Sequence, residues 1–256
     1  MENVTRPLIL ISNDDGYAAS GIRQLTDMVR KFGEVVIVAP DGGRSGTSMA
    51  FTGTTPIRVK RLPDDGDIKI YATTGTPCDC IKLAVGQLLD RRPDLILAGI
   101  NHGDNAAINV HYSGTMAIAL EAAMKQIPAS GFSSKKLSAD ADFAALRPTV
   151  QQIVKMVLEK GLPPRVCLNV NYPHAESFKG FRICRMGLGD WVNEVEQRTD
   201  PRDRDYFWMA GNFVSHDGND EQTDTWALNN GYIAVTPTHL DLTAYGAIDE
   251  LKELLK

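Results

Sequence analysis

Apolar residues in this chain gather in short unbroken runs separated by segments of helical period, the pattern of strands buried on both faces alternating with covering helices. Leu8 to Ser12 and Val35 to Ala39 are two such runs, and the stretch from about Gly21 to Phe32 predicts a helix between them that Gly33 stops. Pro56 to Val59 and Ile68 to Tyr71 predict a short antiparallel pair. Thr76-Pro77 then opens a helix, with Thr as cap and Pro at the first position, running to about Asp90. Leu95 to Ile100 is a third buried strand, followed by an Asn/Gly-rich loop and a helix from about Thr115 to Lys125. A helical stretch around Phe143 to Glu159, with Pro148 in its first turn or at a kink, and a strand from Val166 to Val170 continue the alternation. The expected fold class is α/β, with a Rossmann-like three-layer core around a mostly parallel sheet.

From Gly187 the pattern changes. Glu194 to Thr225 is charged and polar with Tyr206, Phe207, Trp208 and Phe213 interspersed and Trp226 just beyond, so it reads as an arm whose aromatics dock on another surface, such as a second subunit. Tyr232 to Val235 is a late strand, and Ile248, Leu251, Leu254 and Leu255 give a terminal helix one apolar face. Residues 1–186 are therefore expected to form the core, and 187–256 an extension that is no independent domain.

With 256 residues, 43% hydrophobic and 23% charged, the chain has ordinary globular composition. Met1-Glu2-Asn3 leads into the first strand without a basic segment or a long apolar one, and no window approaches the roughly 18 uncharged residues of a membrane span, so a cytoplasmic protein without membrane partners is expected. Cys78, Cys80, Cys167 and Cys184 lie in apolar contexts without metal-site spacing, which predicts buried free thiols. The net charge of −5 argues against binding a nucleic-acid polymer, although a small phosphorylated ligand needs only a local positive site.

Candidate chemistry lies where the buried runs end. Asn13-Asp14-Asp15-Gly16 follows the first strand, at the carboxyl edge where open α/β sheets bind ligands. Asp14 and Asp15 suit a cation there; alternatively, Asn13 or Asp15 caps the next helix. The second strand ends in Asp41-Gly42-Gly43-Arg44-Ser45-Gly46 and the third in Asn101-His102-Gly103-Asp104-Asn105, so Ser45 and Asn101 can each add a neutral oxygen to the two carboxylates. An all-oxygen set favours Mg²⁺ or Mn²⁺, one per subunit. Two carboxylates against one divalent ion leave the site near neutral, so an anionic phosphate is not repelled. Such an ion polarises a phosphoryl oxygen and activates water. Tyr112-Ser113-Gly114-Thr115 precedes a helix whose N-terminus favours an anion, making Ser113, Gly114 and Thr115 candidates for phosphate alongside Ser45, Gly46 and Asn105; a ligand-free N-cap is the alternative. The Gly43 to Ser48 loop lacks Walker spacing and its lysine, and no GxGxxG follows the first strand. His102, His111 and His239 stand near these loops, where a lone histidine is more often a surface or hydrogen-bonded residue than a catalyst.

These segments, together with Gly75-Thr76-Pro77-Cys78-Asp79-Cys80, Asn169-Val170-Asn171-Tyr172-Pro173 and Val235-Thr236-Pro237, resemble the SurE survival-protein family over nearly the whole chain. The resemblance implies a metal-dependent 5′/3′-nucleotidase that dephosphorylates nucleoside monophosphates and acts on short polyphosphate. It implies metal ligands at Asp14, Asp15, Ser45 and Asn101, the first two and Asn101 acting in catalysis. It also implies homodimers or homotetramers built by exchanging C-terminal parts. Met116 and Thr238 depart from the family's usual residues without touching a proposed ligand. Two other classes compete. A receiver-like Mg²⁺-binding signalling domain needs a phosphoacceptor aspartate where Asn101 stands, and a lysine after its fifth strand. A non-catalytic oligomeric scaffold would use the aromatic arm alone.

Overall fold

The computed structural model describes residues 6–256, so the opening Met1-Glu2-Asn3 lies outside the described residues. In chain order, β1 (Leu8–Ser12), α1 (Ser20–Val29) and β2 (Glu34–Pro40) form the first unit. There follow β3 (Val59–Arg61), β4 (Lys69–Thr73), α2 (Pro77–Leu83), β5 (Leu95–His102), α3 (Gly114–Met124), β6 (Ala129–Ser134), α4 (Arg147–Lys160) and β7 (Val166–Tyr172). The last third holds β8 (Phe181–Ile183), β9 (Gly189–Val192), β10 (Val195–Thr199), β11 (Asp205–Met209), β12 (Asn212–Ser215), α5 (Asp224–Asn229), β13 (Ile233–His239) and α6 (Ile248–Leu254).

Nine strands form one sheet in the order β3-β4-β2-β1-β5-β6-β7-β13-β8. From β4 to β7 every pair is parallel, while β3 and β13 run antiparallel to β4 and β7. Alternation along each strand feeds two cores: Ile9 and Ile11 face the cluster with α1 and α4, whereas Leu8 and Leu10 face the cluster with α2 and α3. Burying each such side chain contributes about 1.5–3 kcal/mol of transfer free energy. This is the expected α/β/α architecture with a mostly parallel sheet. From β1 the chain moves to β2 on one side and later to β5 on the other, so the strand order reverses at β1 and β5, and it is at the carboxyl ends of such strands that open α/β sheets bind ligands.

Several details differ from the sequence expectations. α2 keeps its Thr76 cap and Pro77 start but ends at Leu83, passing into a wider turn over Ala84–Leu88 instead of running to Asp90. α1 ends before Gly33, and that glycine instead passes against the Pro7 carbonyl. β6 was invisible as an apolar run because its residues, Ala-Ser-Gly-Phe-Ser-Ser, are small or polar yet buried on both faces. The polar stretch after Gly187 forms an antiparallel hairpin in which β9 pairs with β12 and β10 with β11. β13, although beyond residue 187, lies within the central sheet between β7 and β8. The four cysteines are buried and free, and burial pushes the thiols of Cys78, Cys80 and Cys167 up to about 12. Among the described residues no helix is long and apolar enough to cross a membrane.

Candidate active site

Asn13 shapes the turn after β1: its Oδ1 accepts from the Gly16 N–H at 3.1 Å and its Nδ2 donates to the Gly16 carbonyl at 2.9 Å. The N-cap of α1 is Ala19, without a side-chain hydrogen bond, so neither Asn13 nor Asp15 caps that helix. Asp14 is 4% exposed and Oδ1 accepts from Thr115 Oγ1 at 2.6 Å, tying β1 to the first turn of α3. That helix comes so near that a Cβ on Gly114 would stand 2.6 Å from Asp14 Cβ. Only glycine permits the approach.

Burial pushes the Asp14 carboxyl from the ordinary 3.8 up to about 6; the Thr115 hydrogen bond opposes the rise and the neighbouring Asp15 charge adds to it. Asp15 Oδ2 lies 3.3 Å from His102 Nδ1. Among the described residues neither carboxylate pairs with a lysine or arginine, because the nearby Arg44 guanidinium pairs with Asp41 at 2.9 Å. The Arg44 backbone N–H does bond the Asp14 carbonyl at 2.7 Å, which brings the exposed Ser45 and Gly46 to the same corner of the sheet.

The β5–β6 ladder shifts register between Ala98 and Asn101, with Gly99 at φ +110° where an added Cβ would meet the Phe132 carbonyl at 2.3 Å. Such a bulge re-aims the residues that follow. Asn101 Nδ2 donates to the Gly103 carbonyl at 2.8 Å, and Oδ1 has no hydrogen-bond partner among the described residues. Asn105 is engaged within the protein instead. Its N–H donates to Asn171 Oδ1 at 2.7 Å, its Nδ2 to Ser133 Oγ at 2.8 Å, and its carbonyl accepts from Asn169 Nδ2 at 2.8 Å. Ser113 caps α3, accepting from the Met116 N–H at 3.0 Å, so the open donors of that turn are the Gly114 and Thr115 N–H groups while both hydroxyls are occupied.

The sequence left three elements of the site unassigned. His102 is a lone histidine in the sequence and carries no motif of its own. Asn169 and Asn171, polar at period two inside a buried strand, were a legible sign of an inward network. Asp224 carried no motif. Its buried carboxylate accepts from the N–H groups of Ala107 and Gly187, both at 2.9 Å, and of Thr225 at 2.8 Å, joining the loop after β5 to the root of the hairpin. Trp191 of β9 adds a second tie, Nε1 donating to Asn109 Oδ1 at 2.9 Å.

Comparison with known proteins gives this arrangement relatives. Residues 9–193 match the family model described as survival protein SurE. A protein named 5′-nucleotidase SurE from Bacteroides thetaiotaomicron is 52% identical over 96% of this chain and 95% of its own length. Another of that name, from Caldanaerobacter subterraneus subsp. tengcongensis, is 39% identical over 95% of each. The crystal structure of the SurE protein from Aquifex aeolicus superposes with a TM-score of 0.83 at 36% identity, covering 98% of this chain and all of that one. The chain, with its paired aspartates at the carboxyl edge of a parallel sheet, belongs to the SurE family.

Proposed function

We propose that this protein is a metal-dependent nucleotidase that hydrolyses nucleoside monophosphates to nucleoside and phosphate, with short polyphosphate as a further substrate. One observation carries the metal half of the proposal: two adjacent carboxylates stand at the ligand-binding edge with no lysine or arginine paired to them among the described residues. The names borne by close relatives support the nucleotidase half. Among the described residues no three His, Cys, Asp or Glu side chains gather for a metal, so the donor set must be mixed. Asp14, Asp15, Ser45 and the open Oδ1 of Asn101 provide one, all oxygen, and fit a single Mg²⁺ or Mn²⁺ per subunit.

Asp14, Asp15, Ser45 and Asn101 would hold a divalent ion, which would supply polarisation of a phosphoryl oxygen and activation of water. The chain's own residues prepare that geometry. Thr115 fixes the Asp14 carboxylate by its hydroxyl, and the Gly103 carbonyl turns Asn101 so that oxygen, not nitrogen, is presented. The open Gly114 and Thr115 N–H groups, at the positive end of α3, meet a phosphate beside Asp14. Ser45, Gly46 and Ser113 line the approach to that place, and Asn105 holds the wall behind it. The exposed hairpin and the C-terminal segment are proposed to join two or four copies, with residues 187–256 exchanged between them.

Phosphate release from a panel of nucleoside monophosphates, with Mg²⁺, Mn²⁺ or EDTA, tests the proposal. Turnover that requires the metal and fails with chelator is expected; turnover undiminished by EDTA after dialysis would discard the metal assignment.

A further inference from the structure

On the cation reading of Asp14 and Asp15, we propose that His102 is a positioning residue that holds the Asp15 carboxylate in the orientation for binding metal. Its Nδ1 stands 3.3 Å from Asp15 Oδ2, across 87 positions of sequence, and so joins the end of β5 to the turn after β1. The two side chains are only 12% and 21% exposed, which limits how much solvent competes for the bond. The ring is itself fixed. It packs on Phe143 with centroids 5.3 Å apart and planes at 53°, and Phe143 is fully buried just before α4.

The other ring nitrogen settles the direction of the hydrogen bond. His102 Nε2 is buried with no hydrogen-bond partner among the described residues. With the proton on Nε2 alone, a buried N–H would go unpaired and the Nδ1 lone pair would face a carboxylate oxygen; both arrangements are unfavourable. With a proton on Nδ1, the carboxylate gains a donor. The same bond exists whether the ring is neutral or charged, so the positioning role does not depend on its titration. Nor does His102 reach a ligand through Nε2, which is walled off. Its effect passes through Asp15, as the partners behind metal-binding carboxylates act in general.

Three substitutions separate this role from mere packing. Asn carries its amide nitrogen two bonds beyond Cβ, where Nδ1 stands, and Gln carries it one bond farther, nearer the place of Nε2. Leu has no donor at all. Mn²⁺ is titrated calorimetrically into metal-free wild type, His102→Asn, His102→Gln and His102→Leu, and thermal melting in EDTA follows packing separately. His102→Leu and His102→Gln are expected to weaken Mn²⁺ binding about 10- to 100-fold, with His102→Asn staying within about 3-fold of wild type. The proposal is overturned if His102→Leu binds Mn²⁺ like wild type, or if His102→Gln restores affinity and His102→Asn does not. Should His102→Leu fail to fold, the contrast between Asn and Gln alone decides. Wild type that takes up no Mn²⁺ would overturn the cation reading as well, which distinguishes that failure from failure at His102.

Discussion

The carboxyl edge of the sheet and the hairpin from β9 to β12 are built on opposite rules. At the edge, Asp14 is 4% exposed and Thr115 fully buried, and the two are held to each other by a hydrogen bond. On the hairpin, Phe207 and Trp208 are both 60% exposed and Met209 77%, with no apolar layer over them among the described residues. Polar residues are buried where chemistry is expected, and apolar residues face solvent where a second surface is expected. In both regions the residues out of place for simple burial are the informative ones.

The largest effect belongs to the edge. Asp15→Ala is expected to lower phosphate release by about 10³-fold or more, at least the upper end of what losing one transition-state donor costs. The circular dichroism spectrum should stay that of the wild type, because among the described residues the Asp15 side chain bonds only His102.

Asp14→Asn sets stability against function. The folded, metal-free protein holds the Asp14 proton up to about pH 6, whereas an ordinary carboxyl releases it near 3.8. Protonation therefore favours the folded state: the contribution is complete below the lower value and is lost as pH rises through the higher one. At pH 7 the loss is on the order of 3 kcal/mol. In EDTA at that pH, Asp14→Asn is expected to melt higher than wild type by roughly 2–4 °C per kcal/mol recovered, and to lose this advantage near pH 4. Its phosphate release should collapse at every pH. A lower melting point at neutral pH would show that the carboxylate is not strained there.

Thr115→Val comes next. Removing the hydroxyl leaves buried Asp14 Oδ1 without its donor, which is expected to cost about 1–3 kcal/mol in urea denaturation, along with weaker Mn²⁺ binding. Last, a Phe207→Ser, Trp208→Ser double variant should change monomer stability by no more than about 0.5 kcal/mol, as exposed substitutions usually do. Light scattering should nevertheless register smaller assemblies. A wild type that is monomeric at micromolar concentration would remove the hairpin's proposed purpose.

What could be read from the sequence follows the same division. β1, β2 and β5 announced themselves because their apolar runs are buried on both faces, and Thr76-Pro77 marked the start of α2, to which the structure adds a capping box with Asp79. β6 stayed hidden because small polar residues fill its buried positions, and the hairpin strands because exposed strands have no inward face to set an alternation. The position of Asn101 was legible, but only part of its chemistry. Neutral charge was one reason for an amide there; the structure adds another, since Nδ2 must donate to Gly103 and an aspartate would set a second acceptor against that carbonyl. Asn101→Asp therefore alters the shape of the loop as well as its charge.

The bare backbones of Gly99 and Gly114 have a consequence for how this protein can vary through descent. Each is held by what a methyl group would strike, the Phe132 carbonyl at 2.3 Å and Asp14 Cβ at 2.6 Å. Neither obstacle can be relieved by one compensating exchange that keeps the proposed site, since the first is main chain and the second belongs to Asp14, a proposed metal ligand. Lineages can therefore drift along the exposed hairpin by single steps. At these two glycines every single step is closed, and they divide the sequences this active site can reach from those it cannot.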